Sequence, residues 1–133
     1  MDRTELAPGL EISRVLTGLW QVADMERDGS TLDPEAASRA MDPYVDRGLT
    51  TFDMADHYGS SEVIAGAFHR RRPGAAQLLT KWVPEPGPLS RDDVRAAVDH
   101  ARNRMQAESL DLLQFHAWSY AHPGWMDAIF ALD

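Results

Sequence analysis

Hydrophobic and polar positions divide the chain into two kinds of segment that alternate. Short runs rich in apolar, β-branched and aromatic residues are typical of buried strands. These predicted strands are 14–20, 49–53, 77–83 and 110–118. The longer segments between them repeat apolar residues at the spacing of one helix face. These predicted helices cover about 34–47, 60–72, 90–105 and 123–132. The resulting order is β-α-β-α-β-α-β-α.

Local signals mark the ends of the predicted helices. Asp33 before Pro34 is typical of an N-cap followed by a proline in the first turn, and Gly48 is a common stop after the last turn. Ser90 with Asp93 three positions later resembles a capping box with a shortened acid. These signals support the helix boundaries independently of the apolar spacing.

The alternation of elements predicts an α/β fold. Strands that are apolar almost throughout and are separated by helices indicate a parallel sheet covered by helices. Two architectures share this pattern, an open doubly wound sheet and part of a (β/α)8 barrel of the TIM type. No GxGxxG follows the first predicted strand, so the dinucleotide-binding signature of the open fold is missing.

The composition argues against several classes of function. A formal net charge of -8 disfavours a nucleic-acid surface, because phosphate binding needs a basic face. The short basic cluster at 70–72 is interpreted as charge that the C-terminal end of a helix dipole favours. The absence of cysteine excludes thiol catalysis, disulfides and thiolate metal sites. The N-terminal segment lacks the apolar core of a signal peptide, and no apolar run approaches the roughly 20 residues of a membrane span. We therefore expect a cytoplasmic protein without nucleic-acid or membrane partners.

Ionisable side chains end three successive predicted strands. The second strand ends on Asp53, the third carries Lys81 near its end, and the fourth carries His116. In a parallel barrel the carboxyl ends of all strands meet on one face, where active sites of this fold lie. One polar residue at a strand end is usually a loop contact, but three of different charge on three strands indicate a site. Tyr58 lies in the loop after Asp53, on the same face.

These four residue types together suit proton transfer to an oxygen. A free tyrosine ionises far above neutral pH, but a nearby ammonium group favours its phenolate form. A carboxylate holds that ammonium in place, and a histidine can donate a hydrogen bond to a substrate oxygen. Such a site suits the interconversion of a carbonyl and an alcohol. It contains no electron carrier, so the hydride has to come from a cofactor.

The motifs that carry these residues resemble those of the aldo-keto reductases. The segments are "FDMADHYGSSE" with Asp53 and Tyr58, "LLTKW" with Lys81, and "DLLQFH" with His116. That family is a (β/α)8 barrel whose catalytic tetrad is Asp, Tyr, Lys and His. The resemblance implies that Tyr58 is the general acid in reduction and the base in oxidation, with Lys81 and Asp53 tuning it. It also implies that His116 orients the carbonyl and that NADP(H) supplies the hydride.

A further likeness concerns the turn after the first strand. The segment "TGLW" is similar to the family's turn beside the nicotinamide ribose, which implies cofactor contacts by Gly18 and Leu19 together with Asp53. Leu19 stands where the family usually has a small polar residue. The aromatic residues at or just beyond strand ends are expected to line the substrate pocket, although packing at the barrel rim is the alternative. These residues are Trp20, Trp82 and Trp118.

The remaining histidines are interpreted without a metal. His57 could join Asp53 and Asp56 in a metal cluster, but no HxH or HExxH spacing supports one. His69 and His100 fall on predicted helices and are expected at the surface. We therefore predict no metal site.

The length of the chain matches only part of the expected barrel. A (β/α)8 barrel takes about 250 residues, whereas these 133 residues contain four β/α units. Residues 1–133 are therefore expected to form the N-terminal half of an aldo-keto reductase-like barrel, truncated at the C-terminus. A half-barrel has open sheet edges, which predicts self-association or a missing C-terminal half. Two functions follow: an NADP(H)-dependent oxidoreductase acting on a small carbonyl or alcohol, or a non-catalytic protein on the same scaffold.

Overall fold

The structure, a computed structural model, describes residues 2–23 and 32–117. It begins with an antiparallel hairpin of β1 (Arg3–Ala7) and β2 (Leu10–Ser13), with Gly9 at a φ of 81° in the turn. The sequence pattern does not predict this hairpin, because every residue of β1 is exposed and no apolar periodicity results. None of the helices in the two described stretches is long and apolar enough to cross a membrane.

The hairpin is attached to the main sheet by polar contacts at the amino ends of its strands. The Arg3 guanidinium donates hydrogen bonds to Thr50 Oγ1 and to Gln77 Oε1, the latter at 2.9 Å. The Ser13 amide donates to Thr51 Oγ1 at 2.7 Å, and both residues are fully buried. The hairpin therefore closes the end of the sheet opposite the predicted site.

A parallel sheet of four strands forms the centre of the fold. Its strands are β3 (Thr17–Gly18), β4 (Thr51–Asp53), β5 (Gln77–Trp82) and β6 (Leu112–Phe115), paired in chain order. The first strand is shorter than the predicted 14–20, because the chain turns at Leu19 into the short helix α1 (Trp20–Ala23). The predicted fourth strand is also shorter, and its end at 118 lies outside the described residues.

The strand order distinguishes between the two architectures left open by the sequence. A doubly wound sheet reverses its strand order at a switch point, whereas successive right-handed crossovers without a reversal place every helix on the same side and curl the sheet. Here each strand pairs with the next one along the chain. The described residues therefore have the topology of part of a (β/α)8 barrel. In this part of the chain β3 and β6 form the sheet edges, and self-association through them stays a prediction.

Proline breaks the first predicted long helix. The segment 34–47 forms α2 (Pro34–Ser38), a 3-10 turn (Arg39–Met41) and α3 (Asp42–Val45). Pro43 lies in the first turn of α3, and its ring has no N–H to continue the hydrogen bonding of the preceding turn. The predicted stop is present, since Gly48 has a φ of 83°.

The next two helices follow their predicted limits closely. They are α4 (Ser61–Arg71) and α5 (Arg91–Met105). The predicted capping box is formed: the Asp93 amide donates to Ser90 Oγ at 3.2 Å and the Ser90 amide donates to Asp93 Oδ2 at 2.7 Å. Hydrogen bonds from Ser90 hold the pKa of Asp93 below its usual value. The predicted helix at 123–132 lies outside the described residues.

The core fills the space between the sheet and its helices. Phe52 from β4 packs at 6.1 Å, centroid to centroid, against Phe68 from α4, and both are buried. Met105 at the end of α5 joins the same cluster. Gly66 allows α4 to approach α5 closely, because a Cβ there would lie 2.3 Å from the Met105 carbonyl oxygen. The backbones of α4 and α5 are therefore in close contact at this point.

The arginine cluster does more than complement a helix dipole. Arg71 and Arg72 both pair with Asp42 on α3, at 3.2 Å in each case. Desolvation of Asp42 raises its pKa, but hydrogen bonds and charge from Arg71 and Arg72 outweigh that effect and hold the pKa of Asp42 below its usual value. Arg70 pairs in the same way with Glu35 on α2. The cluster therefore ties α4 to the preceding helices.

Candidate active site

The carboxyl ends of the parallel strands bring three of the predicted site residues, Gly18, Asp53 and Lys81, together. Parallel pairing sets Gly18 of β3 beside Asp53 of β4, and Lys81 of β5 beside Gln114 of β6. The Lys81 ammonium lies 2.6 Å from Asp53 Oδ2 and donates a second hydrogen bond to the Met54 carbonyl oxygen at 2.8 Å. The two charged side chains are only 13% and 25% exposed. A charge with so little access to water needs such partners, so the ammonium is held at one place.

Tyr58 covers this ammonium with its ring. The Lys81 Nζ atom lies 4.8 Å from the centre of the Tyr58 ring, which is within the range of a cation–π contact. The turn that presents Tyr58 is built from backbone hydrogen bonds: the Tyr58 amide donates to Ala55 O at 3.1 Å, and the Ser61 amide donates to Tyr58 O at 2.9 Å. Asp53, Tyr58 and Lys81 therefore form one contiguous group.

Histidines extend this group to the next strand. The His57 ring makes an edge contact with Tyr58 at 4.7 Å and lies 6.4 Å from the His116 ring. The backbone amide of His116 donates to Trp82 O at 2.9 Å, which fixes the start of the loop after β6. The structure thus places the His116 ring near that of His57, which in turn contacts Tyr58.

Gln114 is a contact residue that the sequence reasoning missed. Its side-chain amide donates to Asp53 Oδ1 at 3.1 Å, so that each carboxylate oxygen of Asp53 has a partner. Alternate residues of a strand share one face of the sheet. That rule sets Gln114 on the same face as His116, two positions later, and could have identified it.

The three predicted pocket tryptophans have different surroundings. Trp20 is 53% exposed and stacks on Tyr58 with ring centres 6.0 Å apart. Trp82 packs edge-on against Phe115 of the neighbouring strand at 5.9 Å. A cavity of about 890 Å³ beside the site is lined by Lys81, Trp82 and the loop 83–89, among others. Trp118 lies outside the described residues.

The predicted cofactor contacts at the first turn are unequal. The Leu19 side chain is buried in the core, and its amide donates to the Asp53 carbonyl oxygen at 3.0 Å. The Leu19 carbonyl oxygen accepts the Ala23 amide at 3.0 Å, so that both backbone polar groups of Leu19 already have partners. A Cβ at Gly18 would meet no atom within 4 Å, so the backbone there is open beside Asp53. This open backbone is the feature of the described residues that fits a cofactor.

The residues considered for a metal have other partners. The Asp56 carboxylate accepts the Val83 amide at 3.0 Å and pairs with His57 Nδ1 at 2.9 Å. Asp53 is bound to Lys81. Within 2–23 and 32–117, no group of three histidine or acidic side chains gathers as a metal site would require.

Comparison with known proteins relates the chain to one family. A family model described as "Aldo/keto reductase family" matches residues 14–133. A 6-dehydroglucose reductase from Agrobacterium fabrum is 34% identical over 86 residues, which are 61% of this chain and 28% of that protein. The chain spans less than half the length of the curated relatives it matches.

Solved structures share the fold at low sequence identity. A thermostable aldo-keto reductase, Tm1743, in complex with the inhibitor epalrestat is 24% identical, with a TM-score of 0.75 over 98% of this chain and 48% of that one. An aldo-keto reductase from Klebsiella pneumoniae in complex with NADPH is 22% identical, with a TM-score of 0.69 over 92% and 42%. The predicted fold class, the first units of a TIM-type (β/α)8 barrel, is confirmed.

Proposed function

Because the chain belongs to the aldo/keto reductase family, we propose that it carries the proton-transfer centre of an NADP(H)-dependent oxidoreductase that interconverts a carbonyl and an alcohol. The observation that carries this proposal is the Lys81 ammonium, held between Asp53 and the Met54 carbonyl and covered by the Tyr58 ring. This arrangement keeps a positive charge next to a phenol on the face where the strands end.

Each residue of the group has a distinct role in the proposed reaction. In reduction, the Tyr58 hydroxyl donates its proton to the developing alkoxide; in oxidation, the phenolate takes the alcohol proton. The Lys81 charge stabilises the phenolate, and Asp53 keeps the ammonium in position. His116 donates a hydrogen bond that orients the carbonyl oxygen. Gln114 supports Asp53 from the neighbouring strand.

The proposed cofactor is NADP(H), which supplies the hydride when it is bound. Gly18, with its open backbone, and Asp53 would contact it near the reacting end. Leu19 would contribute only through the second lone pair of its carbonyl oxygen, which already accepts the Ala23 amide. Of the two tryptophans that the structure describes, Trp20 is the better placed, because it is exposed and stacks on Tyr58. Trp82 and Trp118 are proposed to border the same pocket.

A matched pair of tyrosine variants tests the proposal. Tyr58→Phe removes the hydroxyl of the proposed acid, and Tyr44→Phe removes a hydroxyl on α3 that the proposed mechanism does not use. NADPH emission measures cofactor binding, and NADPH absorbance measures turnover of aldehydes and ketones. We expect Tyr58→Phe to bind NADPH but to lose about 10²–10⁴-fold in kcat, the usual contribution of a general acid.

The outcomes separate the two functions that the sequence left open. Full turnover by Tyr58→Phe would exclude Tyr58 as the acid. If the wild-type chain does not bind NADPH at high micromolar concentration, the chain is not an enzyme by itself, and the non-catalytic alternative is favoured.

A further inference from the structure

The chain buries a carboxylate that the proposed reaction does not use. Glu62, in the first turn of α4, has no solvent exposure. Its Oε1 atom accepts the Thr80 hydroxyl at 2.6 Å, and its Oε2 atom accepts Arg104 Nε at 2.8 Å. A buried charge left unpaired would be strongly destabilising, so the fold depends on both of these contacts.

Arg104 connects this carboxylate to the turn that carries the proposed acid. While Nε binds Glu62, the Nη2 atom of the same guanidinium donates to the carbonyl oxygen of Gly59. Gly59 directly follows Tyr58 and has a φ of 49°, a backbone region in which glycine is the most adaptable residue. The guanidinium therefore adds a side-chain contact to a turn that is otherwise held by backbone hydrogen bonds.

The third partner of the network adjoins the proposed ammonium. Thr80 precedes Lys81 on β5, and successive residues of a strand point to opposite faces of the sheet. Thr80 is fully buried and faces the helices, where its hydroxyl donates a hydrogen bond to Glu62. The network therefore includes Thr80, which precedes Lys81, and contacts Gly59, which follows Tyr58.

We propose that Glu62 and Arg104 are positioning residues that hold the Tyr58 ring against the Lys81 ammonium. This inference rests on the proposed function, because the position of Tyr58 matters for turnover only if Tyr58 transfers the proton. Arginine is suited to the role, since its planar fork offers donors in two directions at once. A lysine at 104 keeps the charge beside Glu62 but lacks that fork.

Nuclear magnetic resonance of the 13C-tyrosine-labelled chain tests the positioning directly. The sequence contains three tyrosines, and the Tyr58 signal is the one lost in Tyr58→Phe. This signal reports the rings of Trp20 and His57, which both contact Tyr58. We expect Arg104→Met and Arg104→Lys to shift or broaden it.

The control is another arginine that pairs with acids but lies far from the site. Arg72, at the opposite end of α4, binds Asp42 and Asp46. Arg72→Met should leave the Tyr58 signal unchanged, even if it lowers the melting temperature. Arg104→Lys retains a cation beside Glu62 and supplies a folded variant if Arg104→Met unfolds. A folded Arg104 variant whose Tyr58 signal coincides with that of the wild type would overturn the proposal.

Turnover distinguishes failure of this inference from failure of the proposed function. If the chain reduces carbonyls, Arg104→Lys should lower kcat about 100-fold, the effect of a misplacement near 1 Å, with NADPH binding unchanged. If Lys81→Met leaves turnover intact, the proposed function is wrong, but the Tyr58 signal still decides whether Arg104 positions the ring. An unchanged kcat with a displaced signal would show that the position is irrelevant to proton transfer.

Discussion

The close approach of α4 to α5 at Gly66 predicts a large effect of a single methyl group. In Gly66→Ala the new Cβ would lie 2.3 Å from the Met105 carbonyl oxygen and 2.7 Å from its carbonyl carbon. Ordinary contact begins at 3.4 Å, so the two helices would have to separate by about 1 Å. The opposing atoms belong to the backbone and cannot rotate away as a flexible side chain would.

The expected magnitude follows from two opposing effects. Overpacking a core costs roughly 1–3 kcal/mol, and a rigid backbone neighbour places this site at the upper end of that range. The higher helix propensity of alanine offsets about 1 kcal/mol. We therefore expect the free energy of unfolding to fall by about 2 kcal/mol and the melting temperature by about 7 °C for a chain of this size. Urea unfolding followed by circular dichroism measures the first quantity, and a thermal scan measures the second.

A reverse substitution on α5 isolates the propensity effect. Ala96 is exposed, so Ala96→Gly should cost only the intrinsic difference of about 1 kcal/mol. If Gly66→Ala unfolds at the same urea concentration as the wild type or a higher one, the helices are not in contact at this point, and the packing argument fails. Separation of the helices would also lengthen the Arg104–Glu62 ion pair that joins them, so the Tyr58 signal should move in the same variant.

Two further predictions concern charge and capping. Asp42 has a lowered pKa in the folded chain, so its pairing with Arg71 and Arg72 contributes stability that is complete above about pH 4 and is lost as the pH falls below that value. The difference in the free energy of unfolding between wild type and Asp42→Asn should therefore shrink from pH 6 to about pH 3, as measured by urea unfolding. A pH-independent difference would contradict this. Ser90→Ala removes the side-chain acceptor of the capping box and should lower the free energy of unfolding by about 1 kcal/mol; an unchanged stability would show that the box is not formed in solution.

Local physics explains which parts of the fold were predictable. The capping box of Ser90 and Asp93 and the stop at Gly48 depend on residues within one turn, so their sequence spacing was sufficient. Pro43 is also a local signal, but the apolar spacing continues past it, so the sequence predicted one helix where Pro43 divides two. The N-terminal hairpin was not predictable from its pattern, because contacts of Arg3 with residues far along the chain hold it.

The candidate site also contains residues that the sequence predicts and a contact that only the fold creates. Asp53, Lys81 and His116 could be selected from the sequence, because parallel strands place their carboxyl ends on one face and the residue types suit one chemistry. Their catalytic roles remain proposals. The partner of Asp53, Gln114, is separated from it by 61 positions and depends on strand register.

The sequence by itself determined the alternation of strands and helices, the residues at the strand ends and the kind of proton chemistry they suit, because each of these depends on composition or short-range spacing. Only the tertiary structure decided that the strands follow one another without reversal. It alone placed the Tyr58 ring over the Lys81 ammonium and brought Arg104 to Glu62 across 42 positions. Those contacts depend on how the helices pack on the sheet, and side chains distant in sequence meet only after that packing has formed.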